Sequence, residues 1–489
     1  MAKRYVGDDI VAVKSDAGKR IATLFWGDEV KFLRTQGGQP VIELRQRVVD
    51  RDTGESHEEK IEGFLKKGAK LVDESVLRVR FVDVGQGDGA IVETPKGRLL
   101  LVDGGQGEHI ANYVATAFRS RLGTEGLPIE AVIVTHGDAD HFAGLTKLAT
   151  EPSKKGNPLI RVNHVFHNGL VKRGSKTKAG TSRKDTEMFG KTKVGPDGRP
   201  HAVELVDDLR NVADGDMNVP FKAWREALKG LKSTTGKKPK VRRLELGDDD
   251  AFSFLSDEDI GVQGLGPIVE DVGGGTRGLP FLRTPGSGSL SASHTVNGHS
   301  IVLRINYGNV KILLGADLNE ESEERLLAHC REAGLSLASE VLKVPHHGSA
   351  DFSPRVLQAI SPVVSVVSSG DESTRTEYIH PRAGLVGALG KYSRASVAQP
   401  LVYVTEMVAF FERLGRIVAF EDKGAGEPGK KKGVYRQGYC KAAFGIVHVR
   451  TDGERVLVAT PSGKDDSFEA YAFRVDERGD VEMDEVTKR

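Results

Sequence analysis

Cysteine is scarce in this chain, which has only Cys330 and Cys440 among its 489 residues. Two cysteines are too few for a disulfide framework, and their separation excludes a CxxC metal pair. The sequence also lacks an apolar run of the roughly 18 to 20 residues that a membrane-spanning helix requires, and residues 1–13 lack the apolar segment of a signal peptide. These absences predict a cytoplasmic protein without a membrane partner.

An excess of one charge is also absent, because the formal net charge is +1. Basic residues are instead concentrated locally: residues 172–193 hold eight Lys or Arg against two acids, and residues 229–243 hold seven and no acid. The sequence contains no phosphate-binding P-loop motif, no zinc-finger pattern and no aromatic run of the RNA-recognition type. If nucleic acid binds, we therefore expect contacts to its phosphates rather than recognition of base sequence.

The length of the chain predicts two or three domains. Short apolar runs over residues 1–75 predict a small β-barrel, weakly similar to an SH3-type barrel, which would either bind a protein partner or pack on the next domain. Alternating strand-like and helical runs over residues 76–400 predict an α/β sandwich with mixed sheets. Charged and Gly-rich stretches between about 170 and 290 predict an insertion of loops and one or two helices. Residues 401–489 predict a closing β element, with a hairpin at Asp452-Gly453.

The densest group of metal-binding side chains is the run His136-Gly137-Asp138-Ala139-Asp140-His141. It follows a strand-like apolar run, and a helix is expected to begin near Asp140. Imidazole nitrogens and carboxylate oxygens are the ligands that hold Zn²⁺, Mn²⁺ or Fe²⁺. A helix cap would explain one Asp, but it would not explain two His at fixed offsets. The run therefore predicts a metal site.

This run resembles the HxHxDH signature of the metallo-β-lactamase superfamily, with Asp138 in place of the second His. That replacement is common in the ComEC-type branch, named for the metal-binding domain of a DNA-uptake protein. Other segments resemble the same branch in the same order: residues 81–88 (FVDVGQGD), 100–105 (LLVDGG), 299–303 (HSIVL), 313–318 (LLGADL) and 343–349 (KVPHHGS). The resemblance covers roughly residues 77–395 and implies an αββα sandwich.

The resemblance implies two divalent metal ions, Zn²⁺ or Mn²⁺, and a set of ligands for them. His136 and Asp138 would serve the first metal, and Asp140 and His141 the second. Asp317 would bridge both, although its motif reads Gly-Ala-Asp where Gly-Asp is usual. The superfamily usually places a further His before the bridging Asp, and the candidates for this last ligand of the first metal are, in order of preference, His299, then His167 and His294.

Two adjacent histidines compete for one role, since neighbouring side chains diverge in an extended chain. The spacing His-x-Ser resembles the ligand turn of other superfamily members, which implies His347 as the last ligand of the second metal. His346 would then support a ligand or contact substrate.

Asp103 and Asp88 are candidates for orienting the ligands, and each also fits a turn-capping Asp. His380 resembles a late His of the branch and could donate a proton to a leaving oxygen. We therefore assign catalytic roles to Asp140, His346 and His380.

The signature predicts hydrolysis by a hydroxide that two metals activate, but it leaves the substrate open. The ComEC resemblance and the basic stretches favour a phosphodiesterase or nuclease, in which Lys and Arg would neutralise phosphates. The candidate substrate-binding residues are Lys237, Lys238, Lys240, Arg242 and Arg243. Two alternatives remain: a hydrolase of a small ester, phosphocholine ester or β-lactam, and a non-catalytic interaction protein whose barrel and tail recruit partners.

Overall fold

A computed structural model gives the structure of the chain. It describes residues 2–49, 56–122, 125–150, 158–177, 180–213, 217–370, 380–405, 410–420, 433–443, 445–462 and 467–488. Among these residues, no helix combines the length and the apolar character needed to cross a membrane.

The N-terminal strands form a seven-stranded sheet and are β1 (Ala2–Val6), β2 (Ile10–Lys14), β3 (Arg20–Phe25), β4 (Glu29–Gln36), β5 (Gln39–Val49), β6 (Ser56–Phe64) and β7 (Leu71–Val72). Their order is β3-β2-β6-β5-β4-β1-β7. No pairing between the described strands joins the two edges, β3 and β7, so the predicted barrel is corrected to an open sheet. A two-residue strand such as β7 offers too few hydrogen bonds to close one.

The other strands are β8 (Leu77–Val82), β9 (Ala90–Glu93), β10 (Leu99–Val102), β11 (Leu127–Val134), β12 (Ile160–His167), β13 (Thr192–Val194), β14 (Pro200–Ala202), β15 (Lys240–Arg243), β16 (Ile260–Gly266), β17 (Glu270–Gly273), β18 (Thr276–Pro280), β19 (Val302–Tyr307), β20 (Val310–Leu314), β21 (Val341–Lys343), β22 (Val364–Val367), β23 (Leu401–Val404), β24 (Phe410–Phe420), β25 (Gly433–Ala443), β26 (Ile446–Thr451), β27 (Arg455–Pro461), β28 (Phe468–Val475) and β29 (Val481–Asp484). The helices are α1 (His109–Ala117), α2 (Ala139–Thr150), α3 (Val219–Gly230), α4 (Ala292–Gly298), α5 (Glu320–Glu332), α6 (Pro354–Ile360) and α7 (Ala383–Tyr392).

Two large mixed sheets face each other across a buried core. The first has the order β15-β12-β11-β10-β9-β8-β26-β27-β28-β29, and the second has the order β16-β19-β20-β21-β22-β23. Side chains from both sheets, such as Phe81 and Leu303, form the core between them. Helices α1, α2 and α3 cover the outer face of the first sheet, and α5, α6 and α7 cover that of the second. The expected helix–sheet–sheet–helix layering is confirmed.

Burial on both faces explains the composition of the central parallel strands. The strand β10 reads LLLV and β22 reads VSVV, and every residue of both is buried. Strands covered on both faces have continuous apolar sequences rather than alternating ones.

The predicted insertion has more regular structure than loops and a helix. Its strands β13, β14, β18 and β17 form a separate four-stranded sheet around buried residues that include Phe189 and Phe281. Its helix α3 packs on α2, and its strands β15 and β16 complete the edges of the two large sheets.

The C-terminal strands continue the first sheet, because β26 pairs antiparallel with β8. The hairpin expected at Asp452-Gly453 joins β26 to β27, and Gly453 adopts the positive φ of 100° that this turn requires. The N-terminal sheet docks on these strands through ion pairs of Arg455 with Asp9, at 2.6 Å, and of Arg450 with Asp28, at 2.8 Å. Of the two expectations for this sheet, packing on the neighbouring domain is the one that these contacts fit.

Candidate metal centre

The metal-binding candidates follow the carboxyl ends of parallel strands. Asp103 and His136 come after β10 and β11, which are parallel neighbours in the first sheet. Asp317 and His347 come after β20 and β21, which are parallel neighbours in the second. Because the carboxyl ends of parallel strands meet at one edge of a sheet, the two sheets bring these four residues together.

Three imidazole rings converge on the carboxylate of Asp317. The distances from its Oδ2 are 3.1 Å to Nε2 of His347, 3.2 Å to Nε2 of His141 and 4.0 Å to Nε2 of His136. All three Nε2 atoms and the Oδ1 of Asp317 are buried without a hydrogen-bond partner. Buried polar atoms are rarely left unpaired, so this arrangement is suited to a cation.

The opposite nitrogen of each ring fixes its orientation. The Nδ1 of His141 lies 2.8 Å from Oδ2 of Asp103, and the Nδ1 of His347 donates to the carbonyl of Ser368 at 3.0 Å. The Nδ1 of His136 lies 3.2 Å from Oγ of Ser300. A ring held through Nδ1 presents Nε2 to a metal, which is how ligating histidines are usually positioned.

Opposite charges within the centre shift the pKa values of its residues. Burial opposes the charged form of His141, but Asp317 and Asp103 raise its pKa well above its ordinary value. Burial likewise opposes the charged form of His347, whereas Asp317 and Asp88 raise its pKa to about 10. Despite its own burial, the pKa of Asp317 lies well below its ordinary value because of His347 and His141. The imidazoles of His141 and His347 thus carry protons that a metal ion would displace.

The fit for metal extends to two further carboxylates. Ligand atoms of Asp140, His141 and His347 lie within 4.8 Å of one another, and so do those of Asp88, Asp317 and His347. The donors are imidazole nitrogens and carboxylate oxygens, which suit Zn²⁺ and Mn²⁺. The residues present therefore fit a divalent metal centre.

Unusual backbone conformations place the two adjacent histidines. His346 and His347 both adopt left-handed conformations, with φ of 49° and 52°, inside a short 3₁₀ segment at Pro345–Gly348. The turn directs His347 towards Asp317 and His346 towards Asn297, whose Nδ2 is 3.2 Å from Nε2 of His346. The two side chains diverge, but through this left-handed turn and not through the extended chain assumed from the sequence.

The backbone also accommodates Ala316, the additional residue in Gly-Ala-Asp where the related motif has Gly-Asp. Ala316 adopts a left-handed conformation with φ of 45°, two residues after the end of β20. Such a conformation costs a non-glycine residue free energy, and it is typical of functional sites. It lets the Gly-Ala-Asp sequence deliver Asp317 to the centre.

A close backbone contact brings the start of α2 to the metal site. A Cβ atom at Gly144 would lie 1.9 Å from the carbonyl oxygen of Gly104. Only glycine permits this approach, which sets His141 of α2 beside Asp103.

Two predicted ligands of the first metal are engaged elsewhere. In the part of the chain that the structure describes, no cluster of potential ligands includes Asp138 or His299. The carboxylate of Asp138 forms an ion pair with Lys172. The Nε2 of His299 donates to the carbonyl of Pro280 at 2.7 Å, because the ring turns towards β18 instead of the site. The structure therefore departs from the expectation for His299.

The rival candidates for that ligand also have other partners. The Nε2 of His167 donates to the carbonyl of Asp207 at 3.1 Å, and Nε2 of His294 lies 3.1 Å from Asp351.

The two predicted catalytic histidines lie side by side at the centre. The ring centroids of His346 and His380 are 6.1 Å apart. Burial, followed by the charges of His347 and His346, lowers the pKa of His380 to about 4. A neutral imidazole accepts a proton more readily than it donates one, so donation by His380 would require an anionic substrate that raises this pKa.

The five predicted substrate-binding cations do not surround the centre. In the parallel pairing of β12 with β15, Arg243 is level with His167 at the carboxyl edge, whereas Lys240 lies three residues back. Three residues of strand span about 10 Å, and Lys237 and Lys238 precede Lys240. Two of the five cations are already paired, Arg242 with Asp248 and Asp250, and Arg243 with Asp207 and Glu245.

Sequence reasoning missed two lysines that contact the centre. Lys343 is buried, forms an ion pair with Asp88 and donates to the carbonyl of Ala316 at 3.0 Å. The sequence feature that could have identified Lys343 is its position as the single charged residue in the apolar run Val341-Leu342-Lys343-Val344. Lys172 contacts Asp138, but among the other basic residues of 172–193 it carried no separate signal.

One comparison with known proteins, the match to a family model, assigns the chain to a family. No curated protein matches the chain. Among solved structures, a crystal structure of a metallo-β-lactamase from Hirschia baltica matches 68% of this chain and 95% of its own, with 12% identity and a TM-score of 0.24. The family model described as the metallo-beta-lactamase superfamily matches residues 82–368, more than half of the chain. The protein belongs to the metallo-β-lactamase superfamily.

Proposed function

We propose that this protein is a metal-dependent phosphodiesterase of the ComEC-type branch, with nucleic acid as its candidate substrate. The observation that carries the proposal is the convergence of three unpaired Nε2 atoms on Asp317, flanked by Asp88 and Asp140. A centre with this many carboxylates suits hard divalent ions and the charged oxygens of a phosphodiester. Divalent ions held there would lower the pKa of water and stabilise negative charge on the ester.

The side chains of the centre have distinct parts in such a reaction. Asp140 keeps 21% of its side chain accessible, so it can contact both solvent and a bound substrate. The Nδ1 of His346 is buried without a hydrogen-bond partner and can bind a substrate oxygen. His380, beside it, can take up a proton when an anion enters and return it to the leaving oxygen.

A second candidate, hydrolysis of a small ester, is favoured by the acidic cavity next to His346. The charges lining it are Arg283, His294, Glu320, Glu321, Glu324 and Asp351. Burial lowers the pKa of His346, and the nearby negative charge of Asp351 acts in the opposite direction. An acidic rim repels a polyanion and tolerates a small neutral or cationic ester.

A panel of substrates tests both candidates. The full chain, loaded with Zn²⁺ or Mn²⁺, is assayed with bis(p-nitrophenyl) phosphate, single- and double-stranded DNA and RNA. The competing substrates are p-nitrophenyl acetate, p-nitrophenyl phosphocholine and a chromogenic β-lactam. We expect hydrolysis of bis(p-nitrophenyl) phosphate and of the nucleic acids, and its loss in His141→Ala. Hydrolysis of the competing esters alone would support the second candidate, and no metal-dependent hydrolysis of any substrate would contradict both.

A polymer would need a binding surface beyond the centre, and a basic groove offers one. Lys229, Lys238 and Lys240 line it together with Arg210, which is paired with Asp208. Neutralising Lys237, Lys238 and Lys240 together should weaken DNA binding and flatten its dependence on salt, while hydrolysis of bis(p-nitrophenyl) phosphate persists. The matched control neutralises Arg242 and Arg243, whose charges are already paired. Equal DNA affinity and salt dependence in all proteins would exclude this groove.

A further inference from the structure

The two metal positions of this centre differ in the donors that they offer. The position between Asp140, His141, His347 and Asp317 has four donors, two of which are unpaired Nε2 atoms. The position beside His136 has its Nε2 and the carboxylate of Asp317, together with His141, which the other position also uses. A metal ion at the His136 position therefore needs a further ligand from the chain.

Asp138 is the carboxylate that the sequence offers for this purpose, and Lys172 holds it. The ammonium of Lys172 forms an ion pair with Oδ1 of Asp138, and about three quarters of each side chain is buried, with 24% of Lys172 and 21% of Asp138 exposed. A largely buried pair is screened less by water and salt than a pair on the surface. The ammonium thus neutralises the carboxylate that the metal would need.

The backbone around Lys172 is fixed, so the pair is not a chance contact of a surface side chain. The amide of Asn218, the N-cap of α3, donates to the carbonyl of Lys172 at 2.9 Å. The amide of the next residue, Arg173, donates to the carbonyl of Met188 at 2.8 Å. These bonds hold the segment after β12 against the site.

Neighbouring donors do not replace Asp138 at this position. The Nε2 of His299 is bonded to the carbonyl of Pro280. The hydroxyl of Ser300 lies 3.2 Å from Nδ1 of His136 and donates to the carbonyl of Asn297 at 2.7 Å, so it supports the ring from the side opposite Nε2.

We infer that Lys172 competes with the metal ion at the His136 position and makes the two metal positions unequal. One ion binds first at Asp140, His141, His347 and Asp317. A second ion binds beside His136 only when Lys172 releases Asp138, because the ammonium both occupies the carboxylate and repels a divalent cation. The inference rests on the metal centre of the proposed function, and it concerns the order in which two metal ions bind to that centre.

Zinc titration of the full chain tests the inference without reference to activity. Metal-free protein is titrated with Zn²⁺ against a competing chelator, and bound zinc per chain is measured by elemental analysis. We expect one tight and one weaker equivalent in the natural protein. In Lys172→Met, the dissociation constant of the weaker equivalent should fall by about tenfold or more, the size of effect typical for groups that contact a metal ligand. The tight equivalent should be unchanged.

Two further variants make the test specific. Lys176→Met removes an exposed lysine of the same segment and should leave both equivalents unchanged. Asp138→Ala should keep the tight equivalent and lose the weaker one, with or without Lys172. Two equally tight equivalents in the natural protein, or an unchanged weaker equivalent in Lys172→Met, would overturn the inference. No zinc binding by any of these proteins would instead contradict the metal centre itself.

Discussion

The Nδ1 of His141 lies 2.8 Å from Oδ2 of Asp103, and the same ring directs its Nε2 at Asp317, 3.2 Å away. Asp103 is fully buried and also accepts bonds from the amide and the hydroxyl of Thr135, at 2.8 and 2.6 Å. The carboxylate thus ties the end of β11 to the start of α2. The sequence allowed two roles for Asp103, orienting a metal ligand or capping a turn. Its contact with His141 fits the orienting role.

Asp103→Asn should weaken metal binding while the fold is retained. Asparagine keeps the size of the side chain but removes the negative charge that holds Nδ1–H of His141, so we expect a loss of about 10- to 100-fold in metal affinity. Zinc titration measures it. Asp9→Asn, which alters a buried carboxylate paired with Arg455 outside the centre, is the control. Equal losses in the two variants would show that Asp103 acts through stability alone.

The adjacent histidines should separate in metal content. His347→Ala removes a buried Nε2 that faces Asp317, so the purified protein should lose its tightly bound metal. In His346→Ala, whose ring contacts Asn297, metal content should persist and the rate should fall. Elemental analysis and initial rates measure the two effects, and circular dichroism checks the fold. Metal loss in His346→Ala with retention in His347→Ala would reverse the assignment.

His299→Ala should affect stability rather than metal binding. The ring of His299 is buried and donates to the carbonyl of Pro280, so its removal leaves a buried acceptor unpaired. We expect a loss of about 1–3 kcal/mol in the free energy of unfolding, measured by urea denaturation. Zinc content should equal that of the natural protein, whereas His136→Ala should lose the weaker equivalent. A loss of zinc in His299→Ala would restore this residue as a ligand.

Stability should depend on pH through Glu323. Burial, partly offset by the amide of Ser353, raises the pKa of this carboxyl from its ordinary 4.5 to about 8. The folded state therefore binds the proton more tightly than the unfolded state. The contribution of Glu323 to stability is most favourable below about pH 4.5 and declines as the pH rises towards 8. The slope is at most about 1.4 kcal/mol per pH unit.

Glu323→Gln should remove that decline and stabilise the protein at pH 8 relative to the natural chain. Urea denaturation at pH 5, 6.5 and 8 measures it. Glu332→Gln, at an exposed position of the same helix, is the control and should follow the natural protein. Parallel pH profiles for Glu323→Gln and the natural protein would show that the carboxyl is ionised in the folded state throughout this range.

The sequence predicted the features that depend on local pattern. The apolar runs of β8, β10 and β20 predicted strands, and the layered sandwich followed from their alternation with helices. The run from His136 to His141 predicted metal ligands, and the structure brings three of its four candidates together with Asp317 and His347. Each of these features is encoded within a few residues.

The features that it did not predict depend on contacts between distant segments. Whether a strand closes a barrel or lies at the edge of a sheet depends on the strands with which it pairs. The strand β7 pairs only with β1 among the described strands, so it lies at an edge. The location of the basic residues depended on the direction of β15. This strand runs parallel to β12, so its last residue, Arg243, lies at the carboxyl edge of the sheet, whereas its first residue, Lys240, lies farther from that edge. His299 looked like a ligand by spacing, but its ring rotates towards Pro280.

The sequence by itself determined which chemical groups this protein can offer to a metal, since the side chains and their order along each strand are local. Only the tertiary structure decided which of them are available. Lys172 lies 34 residues from Asp138, and Lys343 lies 255 from Asp88. An ion pair across such separations forms because packing of the sheets and of the segment after β12 holds both partners in place. That packing is a property of the whole fold rather than of any motif.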